Sequence, residues 1–209
     1  MTSYLTVARD ATGEVVDRGS RFLCTLSRVA DEEEARLLLA ALRRNHWDAR
    51  HHCSAFVIGT DAALQRSSDD GEPAGTAGAP MLDVLRGAGV SDVAAVVTRW
   101  FGGTLLGAGG LVRAYGDAVR EALAHAGTLR RALLIELALD LDHADAGRVE
   151  SELRARGVTV LGTSYDTRAR LLLAAPADEV DHVMAVVASA TAGRAQPVAI
   201  GRRWVDLPG

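Results

Sequence analysis

Apolar and polar positions along this chain fall into short blocks that can be read element by element. Near the start, residues 4–8, 14–16 and 22–27 read as short strands separated by Gly13 and Gly19. Asp31 is placed as the N-cap of a helix, and Glu34 three residues on completes a capping-box pattern. Ala35, Leu38, Leu39 and Leu42 give that helix one apolar stripe. Arg43 and Arg44 fall where the negative end of its dipole favours cations. A strand is predicted over 52–58. The polar stretch 60–79 holds too much Gly, Ser and Asp to predict a regular element. Pro80 suits the first position of a helix running to about Arg86. Residues 92–98, nearly all Val and Ala, predict a central strand buried on both faces. Residues 99–110, with five glycines in twelve, read as a second loop, and 111–124 as the helix after it.

The second half is more regular. Ile135, Leu137, Leu139 and Leu141 alternate with Glu136, Ala138 and Asp140, the pattern of a half-buried strand. A helix carrying Ala146, Val149 and Leu153 inward ends at Gly157, which suits a left-handed cap. Strands over 158–165 and 169–174, a helix with Val180, Val183, Met184 and Val187 inward, and a last strand over 197–205 complete the order βαββαβ. That is the ferredoxin-like arrangement. A chain of 209 residues also exceeds the usual single-domain size of roughly 100–150 residues. The pattern therefore predicts an α+β protein of two domains, 1–127 and 132–205, joined near 127–131.

Composition narrows the chemistry. All 23 basic residues are arginine, so a P-loop lysine, a Schiff-base lysine and a lysine base are excluded. The net charge is −4, which opposes nonspecific nucleic-acid binding. Residues 1–128 hold 13 Arg against 16 acids, and 129–209 hold 10 against 11, so neither half is basic. The first residues lack an apolar run of the signal-peptide kind, and no run approaches the roughly 20 residues of a spanning helix. A cytoplasmic protein without a membrane segment is expected. Cys24 and Cys53 form no CxxC pair, so a zinc site is not expected, and both read as small buried hydrophobes.

Two loops carry the candidate chemistry. The first contains Asp69, Asp70 and Glu72, three carboxylates in four residues, followed by Gly75, Thr76 and Gly78 before a helix. The acids suit a divalent cation or general acid/base work. They equally suit a solvated turn that caps helices and pairs with arginines. The small residues let backbone N–H groups approach an anion at the helix N-terminus. In the second loop Arg99 can clamp a phosphate or carboxylate, with Gly102, Gly103, Gly109 and Gly110 as a cradle and Arg113 expected within reach. Trp100 and Phe101 suit stacking on a base or capping the core. Alternation along the strand sends His51 and Cys53 to one face and His52 to the other, so one histidine faces the first loop, as base or ligand or, the commoner case, as a structural histidine.

Long strings within this region are specific. His51-His52-Cys53, Ser68-Asp69-Asp70-Gly71-Glu72-Pro73, Gly75-Thr76-Ala77-Gly78, and Val96 through Arg99-Trp100-Phe101-Gly102-Gly103 to Gly109-Gly110-Leu111-Val112-Arg113-Ala114-Tyr115-Gly116 closely resemble the Impact/YigZ family. The resemblance runs from about residue 20 to 123. It implies a first domain of the left-handed βαβ type, shared with domain two of ribosomal protein S-five and with elongation factor G. It also implies a ferredoxin-like second domain and a link to translation. The expected partners are RNA, the ribosome or a translation factor. A small-molecule enzyme, or a binder of a phosphorylated small molecule or nucleotide, that uses the two glycine-rich loops is the alternative. An arginine cluster is expected around Arg99, Arg113, Arg130 and Arg131, or at Arg194, Arg202 and Arg203.

Overall fold

The computed structural model describes residues 2–207. They divide into two compact units, 3–131 and 132–206. Both are mixed α/β, in agreement with the fold class expected from the pattern and the resemblance.

The first unit opens with β1 (Ser3–Val7), β2 (Ala11–Asp17) and β3 (Ser20–Arg28). Helix α1 (Glu32–Asn45) begins as its sequence prescribes: Asp31 accepts from the Glu34 N–H at 2.9 Å. Glu34 reaches back to the Ala30 N–H at 2.7 Å, one residue before the N-cap. After α1 come β4 (His51–Ile58), β5 (Leu64–Ser68), α2 (Gly78–Gly87), β6 (Val93–Trp100) and α3 (Ala108–Ala126). The sheet order is β2-β3-β6-β4-β5, with β6 central and antiparallel to both β3 and β4. Seven of its eight residues are buried, which accounts for the unbroken Val/Ala run. One face of the sheet packs Phe22, Cys24, Cys53 and Val97 against Met81, Leu85, Leu111 and Tyr115 of α2 and α3. Val29, Ala35, Ile58 and Ala94 form a smaller cluster with α1.

Three local differences from the sequence reading matter for the site. The stretch 60–79 is not all loop: β5 lies inside it, paired with β4 from Ile58↔Leu64 to Ser54↔Ser68. Its apolar alternation is absent because it is an edge strand whose last three residues are exposed. Helix α2 starts two residues before Pro80. Helix α3 starts at Ala108 rather than Leu111, so Gly109 and Gly110 form its first turn rather than a free loop.

The second unit contains most of β7 (Thr128–Leu141), then α4 (His143–Ala155), β8 (Thr159–Tyr165), β9 (Ala169–Ala175), α5 (Val180–Thr191) and β10 (Val198–Leu207). β7 lies between β10 and β9, and β9 pairs with β8. Registers Leu137↔Leu173 and Leu139↔Leu171 align the inward leucines. Ala146, Val149 and Leu153 of α4, with Val183 and Val187 of α5, close over them. Gly157 takes φ +79° just past α4, the left-handed turn its position predicts. Among the described residues no helix is long and apolar enough to cross a membrane.

Candidate functional site

Strand register assembles the core of the site. Arg99 on β6 stands opposite His51 on β4 and Phe22 on β3, so the three share one row and one face of the sheet. Arg99 is buried, with its guanidinium carbon 5.2 Å from the Phe22 ring centre and 5.8 Å from that of Phe101. Its Nη1 donates to Glu72 Oε1 at 2.5 Å, and only 6% and 4% of the two side chains remain exposed. From α3 below, the Tyr115 hydroxyl donates to the same Oε1 at 2.7 Å. The Tyr115 ring meets Phe22 edge-on at 5.1 Å. Cys53 Sγ lies 3.3 Å from the Tyr115 oxygen and 3.0 Å from the Asp69 carbonyl. The His51 Nδ1 is 2.8 Å from the Asp70 carbonyl oxygen, a contact that requires the proton on Nδ1. Its Nε2 lies 3.9 Å from Glu72 Oε1.

Above this floor is an open hollow of about 370 Å³. The first loop contributes Gly71, Glu72 and Pro73; the second contributes Phe101, Leu105, Leu106 and Gly107. Arg50, His51, Arg99 and the first turn of α3 complete it. Gly107, the N-cap of α3, holds φ +74° and supplies no side-chain cap. The first N–H groups of that helix therefore have no capping side chain.

The remaining predicted residues sort by what they touch. Asp69 does not line the hollow but caps α2, accepting from the N–H groups of Gly75 (2.8 Å), Ala77 (3.1 Å) and Gly78 (2.8 Å). Burial works against its ionisation, yet these three bonds outweigh it and hold the carboxyl below the usual range. The anion expected at that helix N-terminus is thus the chain's own carboxylate. Asp70 accepts from the His52 N–H at 2.7 Å and pairs with Arg43 at 2.5 Å. Thr76 donates to the Pro73 carbonyl at 2.6 Å. The three carboxylates serve three separate sets of donors, which is the capping-and-pairing arrangement of a structured turn. Among the described residues no group of three or more His, Cys, Asp or Glu side chains is placed to hold a metal ion.

The glycines differ as sharply. A Cβ on Gly102 would lie 1.9 Å from the Gly19 carbonyl carbon, and one on Gly78 2.8 Å from the Ser68 nitrogen, so both are packing positions. Gly110 faces Leu106 in the same way, whereas Gly75, Gly103 and Gly109 have open space around them. His52 points to the other face, as alternation predicts; burial lowers its pKa, and its Nε2 has no hydrogen-bond partner.

Arg113, expected within reach of Arg99, instead lines a groove between α2 and α3 with Pro80, Val84 and Leu123. Its place in the first turns of α3 turns it away from the loops. Nor do the other arginines cluster as expected. Arg130 donates to Ser3 Oγ, Arg131 to the Tyr4 hydroxyl, Arg194 lies near Asp145, and Arg203 near Glu136. The roles of Tyr115 and Arg50 at the hollow were not evident in the pattern. Tyr115 sits at an ordinary core position of its helix, and Arg50 precedes the strand by one residue.

The fold and site define a two-unit α/β protein whose first unit holds a buried Arg–Glu pair under an open hollow. Residues 18–123 match the family model of the Impact N-terminal domain, and 139–194 that of a domain of unknown function, DUF1949. The chain belongs to the Impact family. It is 39% identical to the IMPACT family member YigZ of Escherichia coli over 96% of this chain and 99% of that one. A crystal structure described as that of a hypothetical protein is 39% identical, covers 96% of this chain and 98% of its own, and superposes with a TM-score of 0.64. Yih1, a solved protein described as a two-domain translational regulator, is 35% identical over 59% of this chain and 47% of its own, with a TM-score of 0.38.

Proposed function

We propose that this protein is a cytoplasmic, translation-associated regulator that acts by binding RNA, on the ribosome or free, and that the hollow of the first unit is its contact site. Family membership supports the translation link, because the Impact resemblance implies it. The observation that carries the binding reading is the floor of the hollow. Glu72, Arg99 and Tyr115 are locked to one another there, which holds the site's shape but leaves no activated nucleophile. Burial pushes the Cys53 thiol up to about 12, and burial with the neighbouring Cys53 and Glu72 pushes the Tyr115 hydroxyl up as well. Arg50 and the uncapped start of α3 offer a phosphate two kinds of positive partner.

The test is sedimentation of the purified protein with ribosomes and with ribosomal RNA at low and raised salt. Association that weakens steeply with salt, and weakens again in Arg50→Glu, is the expected result. Absence of association at low salt rejects the reading.

One observation favours a second reading. The hollow's volume of about 370 Å³ lies within the range of roughly 300–1,000 Å³ typical of small-ligand sites. A phosphorylated small molecule held there raises the melting temperature of the wild type, and less so that of Arg50→Glu. A panel of phosphate esters that shifts neither leaves RNA as the ligand.

A further inference from the structure

The surface of the first unit carries two exposed aromatic rings that the fold does not need, Trp47 and, in the lining of the hollow, Phe101. Trp47 occupies the turn after α1 and is 83% exposed, a rare state for the largest apolar side chain. Its two chain neighbours are both fixed to Trp100. The His46 ring meets Trp100 edge-on at 5.3 Å, and Asp48 accepts from the Trp100 Nε1–H at 2.9 Å. The Arg21 guanidinium covers Trp100 at 4.8 Å. Trp100 is thus an anchor, clamped by His46, Asp48 and Arg21, and the turn holding Trp47 is tied to it on both sides. The next residue, Phe101, is 41% exposed, with Arg99 over its ring.

The chemistry of what covers these rings follows from their surroundings. Trp47 and Phe101 are both tied to the clamped Trp100, one through its chain neighbours His46 and Asp48 and the other as the next residue. Arginines flank them in the chain, Arg44 and Arg50 about Trp47 and Arg99 before Phe101. Arg44 and Arg50, three residues before and after Trp47, are exposed and have no ion-pair partner among the described residues. Asp48, between them in the chain, is engaged by Trp100, and Asp70 is paired with Arg43. Exposed aromatic faces with unpaired arginines beside them match a strand whose flat bases alternate with phosphates. A duplex keeps its bases stacked inward and has none to offer.

We propose that Trp47 and Phe101 are base-stacking platforms for single-stranded RNA, with Arg44 and Arg50 meeting its phosphates. This rests on the RNA-binding reading above and specifies the form of RNA taken.

The experiment is fluorescence anisotropy of a labelled oligouridylate, alone and paired to oligoadenylate, with wild type, Trp47→Ala, Trp47→Phe and Phe101→Ala. The single strand is expected to bind more tightly than the duplex. Each alanine variant weakens it roughly tenfold, the size of one lost stack; Trp47→Phe restores most of the loss. Both positions are solvent-facing, and circular dichroism confirms that the variants fold. Equal affinity of wild type and both alanine variants, or equal affinity for single strand and duplex, overturns the platforms while the RNA-binding reading stands. Unchanged RNA affinity in Trp47→Ala together with weaker ribosome sedimentation assigns the patch to a protein and also overturns them. Wild type that binds neither RNA at low salt removes both readings.

Discussion

Arg99 Nη1 lies 2.5 Å from Glu72 Oε1, with both side chains almost wholly withdrawn from water and Arg99 in strand register with His51. The guanidinium is packed over Phe22, and the carboxylate is shared with the Tyr115 hydroxyl, so loss of either partner leaves the other charge largely withdrawn from water. Glu72→Ala or Arg99→Ala is therefore expected to cost about 3–5 kcal/mol, the penalty of leaving a buried charge alone. Replacing both, as Glu72→Leu with Arg99→Met, costs much less than the sum. A double-mutant cycle in urea checks this; additive losses would show the pair to be uncoupled.

Asp69 predicts a pH dependence of definite sign. Its folded pKa is depressed, so the stability it contributes is fully present above the unfolded carboxylate value near 3.8. That contribution disappears as pH falls through the lower folded value. At neutral pH Asp69→Ala should lose roughly 0.5–2 kcal/mol, as for other caps. The gap to wild type should close only in strong acid. Chemical denaturation of the two proteins at neutral and acid pH measures it.

His52 titrates the other way round in charge but with the same sense in pH. Burial holds its folded pKa below the ordinary 6.5, so it is neutral in the folded protein. Protonation favours the unfolded chain from about pH 6.5 downward until the folded group also titrates. A His52→Leu variant should show a flatter stability curve across that interval. An unchanged slope between pH 6.5 and 5 would assign the effect to other groups.

Two glycines in or beside the second loop separate packing from ligand access. Gly102→Ala places a Cβ against the Gly19 backbone and should cost at least about 1–3 kcal/mol. Gly109→Ala meets nothing, lies in the first turn of α3, and should be neutral or gain about 0.4–1 kcal/mol. Thermal melts of the two variants distinguish them directly.

The elements that periodicity exposes were legible in the sequence: the capped α1, the doubly buried β6, and the whole βαββαβ order of the second unit. β5 was not, because an edge strand with Gln65, Arg66, Ser67 and Ser68 carries little apolar alternation. At the site, residue type and spacing singled out His51, Glu72 and Arg99 as candidates, and the fold brings these three together. Spacing alone does not reveal which acid caps a helix and which lines a hollow. Asp69 and Glu72 are three residues apart, yet one meets backbone N–H groups and the other a guanidinium. Arg113 was misplaced for the same reason: closeness to the loop in sequence did not fix the direction in which its helical position projects.

Cys24 and Cys53 are both fully buried, and both belong to the first unit. A thiol-reactive dye added to the intact chain can therefore react only when that unit opens. The second unit, lacking sulfhydryls, stays silent throughout. Labelling kinetics on the unmodified protein thus become a built-in clock for one half of the molecule, with no engineered reporter required.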